Sequence, residues 1–335
     1  MMNFAVVVVT YNRLELLKEC LECIRNQELV PNNVVIVDNN STDGTGKYLN
    51  GVKEIIEHQW MVKHEEQNIG GAGGFHDGLK LAMETDSEWF LLIDDDAMIA
   101  PNYLSLIAES IEKHPSILAY SGTVVTENNI MIEHRRRFKK AEVPVPIEEY
   151  KQADFEYDLC SFCGAVINRK VVNQIGYPER DFFIWYDDTE YSLRIMNVSK
   201  FLNVNNAILN HKTKIVDATS GNNVTRFNWK TYYGYRNIIY SDRKHHMLWV
   251  GIRYHLARWL RAGISDFLNP YAEYIASLAN LKVRYEIENN ESVSKATYAL
   301  LDTRKIKNIG WEPQYSVKDG LKRTYTIKKE TLGSM

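Results

Sequence analysis

Residues 89–96, Trp-Phe-Leu-Leu-Ile-Asp-Asp-Asp, limit what this chain can fold into. Five apolar residues run straight into three carboxylates. A short apolar run bounded by polar residues fits a strand buried on both faces of a parallel sheet. In open α/β sheets, ligands bind beyond the carboxyl ends of the strands. Three acids in such a place call for a cation, and a hard divalent cation with oxygen ligands is the usual partner of a diphosphate. The competing reading is a solvated acidic turn ahead of a helix starting near Pro101. An isolated acidic triplet is more often the latter, so the rest of the chain has to decide.

Read in order, residues 4–9 form a β-branched run that ends in Thr10-Tyr11-Asn12-Arg13. Leu14, Leu16, Leu17, Leu21 and Ile24 then supply one apolar helix face. Residues 34–37 make a second buried strand, ending in Asp38-Asn39-Asn40-Ser41-Thr42-Asp43-Gly44-Thr45. Short polar side chains of this kind cap helices and bind ligands. A helix over 42–50 and a strand over 61–64 follow. Next comes Asn68-Ile69-Gly70-Gly71-Ala72-Gly73-Gly74-Phe75, leading a helix through Ala82, and then the strand into Asp94. Strands and helices alternate to about residue 110, the rhythm of a doubly wound, mostly parallel sheet, so the fold class is α/β. Glycines ahead of a helix let backbone amides approach a ligand, and the helix start favours an anion. The stretch is neither a dinucleotide fingerprint nor a P-loop. Its plainer reading is a turn with a tight helix–sheet contact.

Beyond residue 115 the rhythm changes. Residues 121–126 are expected as a strand. Glu133-His134-Arg135-Arg136-Arg137 and the 144–146 region are expected as a mobile loop with solvated arginines. Residues 159–167 are expected as a strand with a small-residue break at Gly164-Ala165. The run Asp181-Phe182-Phe183-Ile184-Trp185-Tyr186-Asp187-Asp188-Thr189-Glu190-Tyr191 leads a helix over 192–197. Acids at a helix start complement its dipole, but three acids behind an aromatic run exceed what capping needs. His211 closes a strand-like stretch over 207–209; a lone histidine is usually structural, yet this one follows a strand, as the acids do. Tyr232, Tyr233, Tyr235 and Arg236 come next. Residues 243–261 mix Arg243, Lys244, Arg253, Arg258 and Arg261 with Trp249, Leu256, Trp259 and Leu260. That mixture suits an interfacial membrane helix, and equally a helix packed on the rest of the chain.

The 335 residues suffice for one large domain or two small ones. A net charge of −3 provides no basic field for nucleic acid, and no nucleic-acid partner is expected. Cys20/Cys23 and Cys160/Cys163 form two C-x-x-C pairs, which invites zinc. Cys20 and Cys23 fall on an amphipathic helix pattern, and Cys160 and Cys163 in an apolar run, so free buried thiols suited to a reducing cytosol are expected instead. The first residues lead directly into a strand, so no signal peptide is expected. No segment reaches the ~20 apolar residues of a membrane span.

The ordered set Thr10-Tyr11-Asn12-Arg13, Asp38-Asn39-Asn40-Ser41, Asn68-x-Gly-Gly-Ala-Gly-Gly-Phe75, Asp94-Asp95-Asp96, Tyr186-Asp187-Asp188-Thr189-Glu190-Tyr191 and His211 resembles the family 2 inverting glycosyltransferases with the GT-A fold. The match covers about residues 3–245. The glycine stretch with a triple Asp is most similar to bacterial galactofuranosyltransferases; rhamnosyltransferases are near relatives. The resemblance implies a Rossmann-like, mostly parallel sheet flanked by helices, with a C-terminal helical extension. It implies a GT-A domain over 1–240, divided into a nucleotide-sugar half (1–115) and an acceptor and catalytic half (116–240). A helical, membrane-associated segment (241–295) and an appendage (296–335) follow.

Thr10, Tyr11, Asn12, Arg13, Asp38 and Asn40 would hold the nucleotide, with Arg13 near the diphosphate. Asn68, Gly70, Gly71, Gly73 and Gly74 would line the donor pocket with Asp94 and Asp95. Asp94, Asp96 and His211 would bind Mn²⁺ or Mg²⁺. Asp188 would be the base, and Trp185, Tyr186, Asp187 and Glu190 would face the acceptor. The implied donor is UDP-galactofuranose, or dTDP-rhamnose in the runner-up. The implied acceptor is a glycan, lipid-linked in O-antigen or capsule assembly, met in the cytoplasm at the inner face of the plasma membrane.

Two departures stand out. The large polymerising galactofuranosyltransferases carry an extra N-terminal β-domain, whereas here the first strand starts at Phe4; addition of single residues is therefore expected over processive synthesis. Residues 296–325 resemble the C-terminal tail of nucleotide-sugar epimerases, without that family's glycine-rich nucleotide half. The tail is read as a docking or homo-oligomerisation element without chemistry of its own. A non-catalytic nucleotide-sugar-binding module remains the second class, and intact Asp188 and His211 weigh against it.

Overall fold

The computed structural model describes residues 2–57, 60–127, 129–138, 142–212 and 229–246. The chain divides into two compact units, residues 1–226 with 233–254, and residues 227–232 with 255–335. The sheets and both acidic clusters belong to the first unit. Residues 247–261 of the basic aromatic segment and the epimerase-like tail lie outside the described residues.

The first half forms around β1 (Phe4–Thr10), every residue of which is buried. β1 pairs in parallel with β2 (Asn33–Asp38) on one edge and with β4 (Trp89–Asp94) on the other. Alternation along β1 sends Val6 and Val8 into one core and Val7 and Val9 into the opposite one. α1 (Leu14–Arg25) covers the first through Leu17, Cys20, Leu21 and Ile24, spaced to fall on one helix face. α4 (Gly70–Ala82) covers the second through Phe75 and Leu79. Between them, α2 (Thr45–Leu49) and α3 (Lys53–Ile56) lead to β3 (Trp60–His64), which extends the parallel sheet beside β2. The helix expected over 42–50 starts only at Thr45. Asp43 accepts from the Leu14 and Thr45 amides, and Gly44 turns left-handed at φ 96°, so the residues before Thr45 are a side-chain-tied loop.

The second half runs β5 (Ala97–Ile99), α5 (Tyr103–Lys113), β6 (Ala119–Thr126), β7 (Asn129–Ile130), β8 (Arg135–Phe138), β9 (Glu142–Pro144), β10 (Phe155–Tyr157), β11 (Leu159–Cys160), β12 (Ala165–Asn168), α6 (Arg169–Ile175), α7 (Asp187–Ile195), β13 (Phe201–His211) and α8 (Trp229–Lys244). The main sheet has the order β10-β13-β6-β12-β4-β1-β2-β3, with β5 on β13 and β7 on β6. β12 enters antiparallel beside β4, so the sheet is parallel in its first half and mixed in its second. β13 spans more than the expected 207–209 and bulges between Val204 and Ile208. The strand expected over 159–167 is two strands in different sheets, separated at Gly164, where φ is +88°. α7 starts at Asp187, which puts the acids inside its first turn rather than ahead of the helix expected at 192.

The mobile loop expected around 133–146 is corrected. β11, β8 and β9 form a second, three-stranded sheet. Arg135 is fully buried. It donates to the carbonyls of Gly122 (2.9 Å), Cys163 (3.0 Å) and His134 (3.0 Å) and to Asn203 Oδ1 (3.3 Å). Arg136 pairs with Glu142 and donates to Thr189 Oγ1 at 2.9 Å, and Arg137 makes a two-pronged pair with Glu149. A run of arginines looks solvated in a sequence because nothing local reveals the acceptors supplied by Gly122, Cys163 and Asn203 from three distant segments.

All four cysteines are free, with Cys20, Cys160 and Cys163 buried. Among the described residues no helix is long and apolar enough to cross a membrane.

Candidate active site

Parallel pairing decides where the polar strand ends meet. The register sets Thr10 beside Asp38 and Val9 beside Asp94. The loops after β1, β2 and β4 therefore open at one edge of the sheet, where such folds take ligands. Thr10 Oγ1 donates to Asp95 Oδ2 at 2.7 Å. Arg13 bridges Asp95 Oδ1 (3.2 Å) and Asp96 Oδ2 (2.6 Å). Both oxygens of the buried Asp95 are thus engaged by the first loop. Asn12 and Asn40 both adopt left-handed backbone, at φ 53° and 61°, which asparagine tolerates better than most residues. Asn12 Oδ1 accepts from the Thr42 amide at 2.7 Å, and its own amide donates to Ser41 Oγ at 2.9 Å, knitting the two loops together. Asp38 accepts from the Ser41 amide and faces His64 Nδ1 at 3.1 Å. Tyr11 is exposed.

The glycine stretch is the first turn of α4, not a loop ahead of it. A Cβ on Gly74 would lie 2.5 Å from Val9 Cγ1, and one on Gly78 2.5 Å from Val7 Cγ1, so these glycines let the helix lie directly on β1. Two first-turn amides are taken by the protein: Gly70 N–H by Asn68 Oδ1 (2.8 Å) and Ala72 N–H by the Phe183 carbonyl (3.2 Å).

The acids are unequal. Desolvation, then repulsion from Asp96 and Asp95, pushes the Asp94 carboxyl up to about 7, although the residue as a whole is only partly buried. Burial lifts Asp95 to about 6 against the bonds from Thr10 and Arg13. Burial also acts on Asp96, but its bond and charge interaction with His211, reinforced by Arg13, leave it below the usual range. His211 is raised in turn, since Asp96 and Asp94 outweigh its burial. His211 Nε2 and Asp96 Oδ1 stand 3.2 Å apart as an ion pair. The expected trio Asp94, Asp96 and His211 is therefore not preassembled: among the described residues no three His, Cys, Asp or Glu side chains converge to hold a metal. Opposite charges satisfy Asp96 and His211 mutually, and Asp94 adds its charge from outside that pair. The donor set still fits a divalent cation. Carboxylates suit Mn²⁺ or Mg²⁺ and imidazole is a common transition-metal ligand, and His211 Nδ1 is buried without a hydrogen-bond partner.

The second acidic cluster lies in the first turn of α7. Burial, then Asp188 and Asp94, pushes the Asp187 carboxyl well above its usual range, which places the two clusters within electrostatic reach. Asp188 is half-buried, and its Oδ1 accepts from Thr189 N–H and Thr189 Oγ1–H (3.1 Å). Trp185 is exposed, and Tyr186 donates its phenol to Glu142 at 3.0 Å. Glu190, expected at the acceptor, is fully buried, with its carboxylate held by Arg194 (2.9 Å), His245 (3.0 Å) and Lys244 (2.9 Å). Its position makes it a clamp between α7 and α8. Burial would raise Glu190, but His245, Arg194 and Lys244 outweigh it and hold the carboxyl down to about 2.

A folded value below the unfolded ~4.3 means that this contribution to stability is full above pH ~5 and is lost as pH falls through ~4 to 2. Glu190→Gln is therefore expected to lower stability near neutrality and to flatten the acid limb of a melting-temperature profile; an unchanged acid limb would contradict the clamp.

A family model for glycosyl transferase family 2 matches residues 5–176. The chain belongs to glycosyl transferase family 2. Among curated relatives, this family 2 chain is 34% identical over 198 residues to galactofuranosyltransferase GlfT1 of Mycobacterium tuberculosis, covering 57% of this chain and 63% of that protein. It is 26% identical over 201 residues to galactofuranosyltransferase GlfT1 of Mycolicibacterium smegmatis, covering 57% and 64%. The chain thus spans less than two thirds of these relatives' lengths. The crystal structure of S. aureus TarS 1-349 in complex with UDP-GlcNAc superposes with a TM-score of 0.56 over 82% of this chain and 81% of that one, at 18% identity. The shared fold is GT-A: a curled, mostly parallel sheet between helices.

Four residues of this family 2 chain near the site are not marked by any pattern in the sequence strong enough to assign them there. Asn39 donates to the Gly70 carbonyl at 3.1 Å and keeps a buried Oδ1 without a partner; its one signal is its place between Asp38 and Asn40. His64 faces Asp38 from the end of β3. The His134 ring meets the His211 ring edge-on at 5.5 Å and bonds Ser161 Oγ at 2.7 Å. Burial, then the charge of Arg135, holds His134 down at about 3, so it is neutral. Asn237 lies under the 182–185 carbonyls. Nothing local marks His134 or Asn237, because their partners come from distant segments.

Proposed function

We propose that this protein is an inverting glycosyltransferase that moves galactofuranose from UDP-galactofuranose to a hydroxyl of a glycan acceptor, lipid-linked and met at a membrane face. The observation that carries the reading is the set of polar strand ends after β1, β2 and β4 that open at one edge of a nucleotide-type sheet, with Thr10 and Arg13 bonded to Asp95 and Asp96. Family membership supports glycosyl transfer, and the two mycobacterial relatives support galactofuranose as the sugar. Thr10, Arg13, Asp38 and the start of α4 would hold the nucleotide and its diphosphate. Asp94, Asp96 and His211 would hold Mn²⁺ or Mg²⁺, which when bound neutralises charge on the leaving diphosphate as a Lewis acid.

In this reading the acceptor oxygen attacks the anomeric carbon from the face opposite the diphosphate. The new C–O bond forms as the bond to the diphosphate breaks, and the nucleoside diphosphate leaves with the electron pair. A hydroxyl is a poor nucleophile at neutral pH, so its proton passes to a carboxylate. Asp188 takes that role, with Thr189 fixing one of its oxygens. Burial disfavours the charged form of Asp187, which therefore competes less for the proton.

Purified protein offered UDP-galactofuranose or dTDP-rhamnose with Mn²⁺ is expected to release nucleoside diphosphate from the first alone; release only from the second would transfer the reading to rhamnose. Asp96→Ala is expected to weaken Mn²⁺-dependent donor binding more than it perturbs folding. Calorimetric titrations with and without Mn²⁺ check this, and equal affinities in wild type would refute a metal role.

A further inference from the structure

The loop between the 3-10 turn at Arg180–Phe182 and α7 is strained. Phe183, Trp185 and Tyr186 have φ of 65°, 64° and 71°. Phe183 centres a γ-turn of the rarer hand, closed by the Ile184 amide on the Phe182 carbonyl at 2.7 Å. Bulky residues hold such backbone only when their surroundings over-determine it. Two helices do so. At the start of α4, a Cβ on Gly70 would lie 2.0 Å from the Phe183 carbonyl oxygen, and Ala72 N–H donates to that oxygen. The second is α8, which lies outside the residues matched by the family model.

Asn237 is fully buried on α8. Its Nδ2 lies 2.9 Å from the Phe182 carbonyl, 3.0 Å from that of Ile184 and 2.7 Å from that of Trp185. Three carbonyls turned toward one point repel one another, and only a donor keeps them there. The amide has one way to face: Oδ1 accepts from Arg236 Nε (3.0 Å) and Nη2 (2.9 Å), which leaves the NH₂ toward the loop. One turn earlier, a Cβ on Gly234 would lie 3.0 Å from Trp185 Cε3, so the backbone of α8 forms a floor beneath the indole. The rest of the ring stays open, with Trp185 47% exposed.

We propose that Asn237, with Gly234, is the positioning residue that sets Trp185 as a flat platform for the sugar ring of the acceptor beside Asp188. This rests on the reading of residues 185–188 as the acceptor side. Asn237 touches no reacting atom; it fixes the backbone from which Trp185 and α7 project.

The test labels the seven tryptophans with 5-fluorotryptophan, reads them by ¹⁹F NMR, and assigns the Trp185 line through Trp185→Phe. Asn237→Ala and, separately, Gly234→Ala are expected to shift and broaden the Trp185 line while the other six hold. A line unmoved in both variants, or all seven lines moving together in both, would overturn the placing of Trp185 by Asn237 and Gly234. If Asn237→Ala does not fold, Gly234→Ala decides, since it leaves every hydrogen bond of Asn237 in place. Octyl β-D-galactofuranoside, added as a probe, is expected to shift the wild-type Trp185 line and to bind either variant about tenfold more weakly, as lost preorganisation predicts. Equal affinity in wild type and variants would overturn the positioning role. A wild-type line that ignores the glycoside would instead overturn the acceptor reading, with the placing of Trp185 judged separately by the line shifts.

Discussion

Asp188→Asn is expected to lower kcat by ~10³-fold, within the range for losing a general base, with donor affinity unchanged by calorimetry. The substitution keeps the size of the side chain and the acceptor oxygen that Thr189 bonds. It removes only the capacity to take a proton. The same loss from Asp187→Asn would be a different result: Asp187 is buried and its charged form is disfavoured there, so its amide analogue costs little of the proton chemistry. Turnover by Asp188→Asn at the wild-type rate, with Asp187→Asn inactive, would exchange the two assignments. An effect on donor affinity equal to that on kcat would place Asp188 in binding instead.

Arg135→Met is expected to destabilise the first unit by ~3–5 kcal/mol, as removal of one partner from a buried charged network does. Arg135 directs its donors to carbonyls from β6, β12's approach and the 134 turn, plus Asn203 on β13. Methionine fills much of the volume but leaves those oxygens buried without donors, and each such group costs ~1–3 kcal/mol. Arg135→Lys is expected to recover little, because one ammonium cannot reach acceptors laid out for a planar fork. Urea unfolding measures both. A midpoint shift below that of an ordinary surface substitution would mean that water replaces the guanidinium at those carbonyls. His134, immediately before β8, also meets His211 edge-on, so partial unfolding of this region is expected to loosen His211 before the β1 and β2 loops.

How much was legible in the sequence depended on how local the physics was. The buried runs of β1, β2 and β4 and the helical stripe of α1 are period patterns, readable from one segment at a time. The acidic clusters were readable because strand ends in such sheets point at a ligand edge. The glycine stretch was readable only as a choice between a cradle and a close contact. Val7 and Val9 settle the contact at Gly74 and Gly78, and they stand more than sixty residues away. Arg135 reads as solvated and is fully buried, since its acceptors come from segments that no window contains. Glu190 reads as an acceptor contact and is a clamp, for the same reason: two of its three partners lie on α8 or just beyond its end.

By itself the sequence determined the α/β class, the parallel first half and the identity of the acids, because alternation of apolar runs with polar endings leaves few other ways to bury them. Tertiary structure alone decided the electrostatics. Asp94, Asp95 and Asp96 are adjacent in the chain, yet one is pushed up to about 7, one to about 6 and one below its usual range. The difference comes from who faces each of them: Thr10 and Arg13 from the β1 loop, His211 from the end of β13, and solvent or its lack. A carboxylate's charge depends on neighbours in space, and a sequence orders only neighbours along the chain.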